Sequence, residues 1–139
     1  RDTVNRYTEI KFPEYARPNS QVNQLGCKCE MIAQYFFWSH KYKYDATQML
    51  GINPIGEADI VVNDMKIDVK GIWSYQNQAR VNEKAHKKEK NVSHYLFIRP
   101  DSEELMNSVA GWWLFSHEEV DSWKVEMLKY TKAYVKNIV

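Results

Sequence analysis

Glu57-Ala58-Asp59-Ile60-Val61-Val62-Asn63-Asp64-Met65-Lys66-Ile67-Asp68-Val69-Lys70-Gly71 is the stretch that decides the fold. Residues 58–62 and 65–72 alternate apolar and polar side chains on either side of Asn63-Asp64, the pattern of two strands joined by a two-residue turn. Asn and Asp both tolerate left-handed backbone, which such a turn needs. With the turn there, Asp59 faces Asp68 and Glu57 faces Lys70. Directly opposed residues have Cβ atoms about 4.5–5.5 Å apart, and like charges so placed repel. Strand alternation adds Lys70 to the face of Asp68 and turns Ile60, Val62, Ile67 and Val69 the other way, into a core.

Two opposed carboxylates call for compensation, and a divalent cation between them supplies it. Two acids and an ammonium on one sheet face can form a metal-assisted hydrolysis site: the cation polarises a phosphoryl oxygen and acidifies its bound water. Lysine can orient the attacking hydroxide and stabilise charge growing on the phosphate. Hard oxygen donors favour Mg²⁺ or Mn²⁺ over zinc. The alternative is an amphipathic hairpin whose polar face simply meets water.

Upstream, Val22, Leu25, Cys29, Ile32 and Phe36 recur at three- and four-residue steps, which predicts a helix over 21–40 with Ser20 as its N-cap. Glu30 lies one residue past that stripe, in a row with Gly26, Ala33 and Phe37. An acid bordering a buried side is uncommon without a partner, so Glu30 is a candidate third acid beside the pair; a rim carboxylate paired with Lys or Arg is the alternative. Glycine inside a helix costs about 1 kcal/mol relative to alanine, so Gly26 and Ala33 suggest a close approach to another element.

Residues 1–19, with Pro13 and Pro18, read as an irregular arm, and 41–57 hold at most a weakly signalled strand. Residues 78–90 read as a basic helix carrying Arg80, Lys84, Lys87, Lys88 and Lys90, suited either to phosphate contacts or to a solvated face. His94 to Ile98 suits a buried strand, residues 102–109 a short helix and 112–115 another strand. Ser116 with Glu119 makes a capping box for a final helix in which Val120, Trp123, Met127, Tyr130 and Tyr134 keep helical spacing. Trp112 and Trp113 read as core, His86 and His117 as solvated or capping residues. Gln76, Asn77 and Gln78 could bond a nucleic-acid backbone or base edge, and Trp73 and Tyr75 could stack on an unpaired base. The order of elements makes a mixed α/β domain.

The chain has 139 residues, 44% hydrophobic and 27% charged, which fits one ordinary globular domain and argues against disorder or a disulfide-rich miniprotein. A net charge of +1 neither requires nor excludes a polyanionic partner. No apolar run approaches the ~18 residues of a spanning helix, so no membrane role is expected. The opening Arg1-Asp2-Thr3 shows no secretory leader and no initiator Met, giving the expectation of an intracellular, cytoplasmic protein seen as a trimmed chain or fragment. Cys27 and Cys29 point to nearly opposite sides of the first helix, which suits neither a disulfide nor zinc. His40, His86, His94 and His117 are scattered singly, and the five glycines are too dispersed for a phosphate loop.

An acid on a first helix, then Asp on one strand and Asp-x-Lys on the next, resembles the PD-(D/E)xK nuclease superfamily. The matching positions are Glu30, Asp59 and Asp68-Val69-Lys70, and the resemblance spans about residues 20–99. Asp68-Val69-Lys70-Gly71-Ile72-Trp73 also looks like the corresponding run of phage junction-resolving endonucleases. Ala58 departs from the motif's proline. The resemblance implies a restriction-endonuclease-like core, a central mixed sheet flanked by helices, within a single domain over 1–139 whose segment 100–139 adds a C-terminal strand and helix. It implies a Mg²⁺- or Mn²⁺-dependent endodeoxyribonuclease with Glu30, Asp59, Asp68 and Lys70 as catalytic residues. Asp59, Asp68, Glu30 and the Val69 carbonyl would be metal ligands. Gln76, Arg80, Lys84, Lys87 and Lys88 would contact DNA. A lone site cuts one strand per encounter, so a homodimer or a larger assembly is part of this expectation. A non-catalytic nucleic-acid- or protein-binding module on the same fold is the competing one.

Overall fold

The computed structural model describes residues 21–46, 58–88, 91–101 and 109–138. Expectations that rest on the N-terminal arm, Ser20, Glu57, Lys90 and residues 102–108 lie outside these. Helix α1 (Gln21–Ser39) forms as its apolar stripe predicts and buries Cys29, Ile32, Ala33 and Phe37. It ends in a Schellman arrangement. The Tyr42 N–H donates to Phe37 O (2.9 Å), the Lys41 N–H to Trp38 O (3.1 Å), and Lys41 itself is left-handed at φ 62°. The rings of Phe37 and Tyr42 meet edge-on across this cap, with centroids 5.8 Å apart.

The hairpin forms in the expected register. Strands β2 (Ile60–Val62) and β3 (Met65–Gly71) pair antiparallel as Ile60 with Ile67 and Val62 with Met65, and Asn63 takes the left-handed conformation at φ 53°. The weakly signalled strand is β1 (Tyr44–Asp45), paired with β2. Strand β5 (His94–Pro100) runs parallel to β3 and antiparallel to β6 (Val109–Ser116). The central sheet is therefore mixed, in the order β1-β2-β3-β5-β6.

Residues 78–90 do not form one helix. They split into strand β4 (Gln78–Asn82) and a short helix α2 (Glu83–Lys88). Ala79 and Val81 are buried between more exposed Gln78, Arg80 and Asn82, a two-residue period that the charge of the segment masks. The Asn82 side chain then accepts the Ala85 N–H at 3.0 Å and starts the helix.

The C-terminal helix is also shorter than expected. The Ser116–Glu119 capping box is present, but helix α3 (His117–Asp121) stops after one turn and is followed by β7 (Lys124–Met127) and β8 (Lys132–Asn137). Met127 and Tyr130, which helical spacing placed on the apolar stripe, are exposed. Pairing with distant β4 overrides the local spacing, giving a second antiparallel sheet ordered β4-β8-β7.

The central sheet carries a core on each face. Ile60, Val62, Ile67, Val69, Leu96 and Ile98 pack against α1. On the other face, Tyr95 and Phe97 of β5 meet Ala79, Val81 and Tyr134 from the second sheet, Val120 from α3 and Trp123 from the turn after it. Strand β5 is buried on both faces, which is why its sequence reads as a nearly continuous apolar run. Trp112 lies on the α1 face of β6 and is exposed, so it is not core; its ring meets Phe36 edge-on at 4.3 Å, while Trp113 is half-buried over the second core.

The close approach read at Gly26 belongs elsewhere, because a Cβ at Gly26 would meet nothing within 4 Å. At Gly71 it would lie 2.6 Å from Leu25 Cγ and 3.2 Å from Cys29 Sγ, so α1 seats on the end of β3. Cys27 and Cys29 are buried free thiols, and burial pushes the Cys29 thiol up to about 12, leaving it unreactive.

Candidate active site

Strand β3 presents two chemistries on its two faces. Ile67 and Val69 enter the core under α1, so Asp68 and Lys70 project toward the opposite face, in register with Tyr95 and Phe97 of β5. Asp59 sits just before β2, with its N–H donating to Ile67 O (2.9 Å). Its Oδ2 accepts the Val69 N–H at 2.8 Å, which holds the carboxyl against β3. Asp59 is 6% exposed and the Asp68 side chain 15% exposed.

Burial pushes the Asp68 carboxyl up to about 6; the Lys70 ammonium opposes the rise, while the Asp59 charge and a hydrogen bond with Asp59 add to it. Lys70 Nζ lies 3.0 Å from Asp68 Oδ2 and 5.6 Å from the centre of the Tyr95 ring. Asp68 therefore pairs with the Lys70 ammonium while the Val69 N–H holds Asp59, and near neutral pH the second negative charge is opposed by desolvation. Two adjacent carboxyls against one ammonium leave one surplus negative charge when both are ionised, and their hard oxygen donors fit a divalent cation such as Mg²⁺.

Glu30 is 6% exposed on α1, the helix that covers the other face of β3. Among the described residues its carboxylate does not form a group with Asp59 and Asp68 in which one ligand atom from each lies within 4.8 Å of the others. Gln76 lies half-buried in the loop after β3, while Arg80 on β4 and Lys84, Lys87 and Lys88 on α2 are exposed or half-exposed. Lys87 faces Glu83 one turn back at 3.9 Å.

One set of polar residues escaped the sequence reading. His86 is buried rather than solvated: its Nδ1 lies 2.7 Å from the Tyr95 hydroxyl and its Nε2 2.6 Å from Asp121 Oδ1. His117 stacks on it, with ring centroids 3.8 Å apart, and bonds His86 O through Nε2 at 3.1 Å. Two of the histidines that look scattered along the chain, His86 and His117, thus meet in space. Ligand atoms of His86, His117 and Asp121 lie within 4.8 Å of one another. Both His86 nitrogens are already engaged, and stacked rings only 17° from parallel do not aim their in-plane lone pairs at one point. The arrangement is a hydrogen-bonded relay from surface Asp121 through His86 to Tyr95, whose ring underlies Lys70. The parallel register of Asp68 with Tyr95, and Lys70 lying over the Tyr95 ring, link it to the carboxyl pair, and no local sequence signal encodes that register.

No protein-family model and no curated protein matches the chain. Among solved structures it is similar to Hjc, a Holliday junction resolvase from the archaeal hyperthermophile Archaeoglobus fulgidus, at 9% identity and a TM-score of 0.48, over 81% of this chain and 83% of that one. A likeness at this level assigns no roles to residues. Among the described residues, no helix is long and apolar enough to cross a membrane.

Proposed function

We propose that this chain is a divalent-metal-dependent nuclease with a restriction-endonuclease-like core, hydrolysing DNA phosphodiester bonds as an endonuclease. The observation that carries the reading is the pair Asp59 and Asp68, a buried and a largely buried carboxyl in hydrogen-bonding contact with each other, with the Lys70 ammonium 3.0 Å from Asp68. In this reading Asp59, Asp68 and the Val69 carbonyl would hold Mg²⁺ or Mn²⁺, and Glu30, which does not group with the pair, would act as the third acid only through the ion's waters. The bound ion supplies the Lewis acid that polarises the phosphoryl oxygen and lowers the pKa of its water. Lys70 orients the attacking hydroxide and offsets charge growing on the phosphate. Gln76, Arg80, Lys84, Lys87 and Lys88 contact the DNA. Two free thiols suit an intracellular setting. A homodimer or larger assembly is the form that would cut both strands.

Plasmid nicking in Mg²⁺, run beside thermal melts of the wild type and Asp68→Asn, tests the reading. The wild type should nick plasmid and melt higher with Mg²⁺. The variant should not nick, should melt no lower than wild type without metal, and should gain much less from Mg²⁺. Equal gains, or a wild type that never cuts with any divalent ion, would hand the fold to the binding-module reading.

A further inference from the structure

We infer that residues 73–80 form a stacking subsite for an unpaired nucleobase of the bound strand, so that the substrate class is DNA with an unpaired or displaced segment rather than continuous duplex. Trp73, Tyr75, Gln76, Asn77, Gln78 and Arg80 line a cavity of about 360 Å³. The rings of Trp73 and Tyr75 are within 5° of parallel, with centroids 6.2 Å apart, so a base laid on one is parallel to both. Tyr75 is 80% exposed, which leaves an aromatic face open to a partner. Stacking of this kind tolerates any base, because every base has a π face. Three amide side chains beside the rings can bond a base edge, and Arg80 is the charged group of the lining, with no acid among the six. That charge suits a backbone phosphate of the same nucleotide.

The subsite is fixed before any ligand arrives. Gln76 Oε1 accepts the Trp73 N–H at 2.8 Å, and the Gln76 N–H donates to Trp73 O at 3.0 Å. The Arg99 guanidinium of β5 donates to Gln76 O, and the Ile138 N–H donates to Asn77 O at 2.8 Å. The Arg80 Nε–H donates to Gln78 Oε1 at 3.2 Å. A platform held from two elements loses little freedom on binding.

Its place along the chain puts it within reach of a strand bound at Lys70. Trp73 follows Lys70 by three residues, which even fully extended span at most about 11 Å. A base stacked there can therefore belong to the strand whose phosphate lies at Lys70. The inference rests on the nuclease reading only for that phosphate; the subsite itself rests on the platform.

The test measures binding in EDTA, so no cleavage is required. Three probes are titrated by anisotropy or competition: a continuous duplex, the same duplex carrying a short single-stranded oligothymidine flap, and free thymidine monophosphate. Wild type should prefer the flap duplex. Tyr75→Ala should reduce that flap-over-duplex preference about 5- to 150-fold, the range for one stacked base. Tyr75→Phe, which keeps the ring, should retain it, and the flap probe should quench tryptophan emission in wild type but not in Trp73→Phe. An unchanged ratio in Tyr75→Ala, or equal loss in Tyr75→Phe, overturns the subsite. Competition by thymidine monophosphate as strong as by the flap strand overturns the assignment to a strand. If the flap preference holds but no divalent ion supports cutting, the nuclease reading fails and the subsite stands. If wild type cuts DNA but binds flap and duplex alike, the reverse is true.

Discussion

The Tyr95 hydroxyl lies 2.7 Å from Nδ1 of buried His86. One side of the Tyr95 ring supports Lys70, and its hydroxyl is anchored through His86 to Asp121. Tyr95→Phe keeps the ring and strands a buried imidazole nitrogen, so it should cost about 1–3 kcal/mol in denaturant unfolding. A smaller loss than that of an exposed Tyr75→Phe control would show that the bond contributes nothing.

The second expectation concerns pH. Asp68 is raised from 3.8 to about 6, so the folded state takes up its proton more readily than the unfolded state. Its contribution is fully present below the unfolded value and is lost as pH rises through about 6. The metal-free protein should lose on the order of 3 kcal/mol from this group between pH 4 and 7, and the wild-type-minus-Asp68→Asn difference should isolate it. Mg²⁺ affinity should move oppositely, strengthening above pH 6 as the carboxyl ionises. Urea unfolding in EDTA and in Mg²⁺ across that range reads both; a flat difference curve would mean Asp68 is not perturbed.

Phosphate binding is a matter of charge. Replacing Arg80, Lys84, Lys87 and Lys88 by alanine should weaken DNA binding and lower the slope of log affinity against log salt by roughly one for each phosphate left unneutralised. An unchanged slope would return α2 to a solvated face.

Lys41 caps α1 from the left-handed region without the freedom of glycine. Lys41→Gly should raise stability by about 1 kcal/mol, read by thermal or urea unfolding with nuclease assays unaffected. Gly71→Ala should act the other way: its Cβ would lie 2.6 Å from Leu25 Cγ, so a loss of about 1–3 kcal/mol is expected from overpacking.

What could be read from sequence was local. The hairpin from Asp59 to Lys70 is closed by a two-residue turn, so its register and the Asp59–Asp68 juxtaposition follow from alternation alone. Helix α1 and the Ser116 capping box are similarly short-range. Strand β4 was not legible because its pairing joins Gln78 to Asn137, and the local hairpin of β7 with β8 was masked by the helical spacing of Val120, Trp123, Met127, Tyr130 and Tyr134. His86 looked like one more polar residue on a basic segment, since its partners Tyr95 and Asp121 come from two other elements. Glu30 was recognisable as a misplaced acid, but its distance from the carboxyl pair depends on which sheet face α1 covers.

The pairing of β4 with β8 also orders events in time. The carboxyl hairpin and α1 lie in the earlier half of the described chain and can assemble as soon as they are synthesised. Strand β4 is made shortly afterwards but must wait for residues 132–137 before either of its edges is satisfied. During that interval Ala79 and Val81 lack the lid that later buries them, and Tyr95 lacks its anchor at Asp121. A nascent chain would hold its acids in place well before the floor beneath Lys70 is secured, so competence would arrive with the last strand rather than with the first.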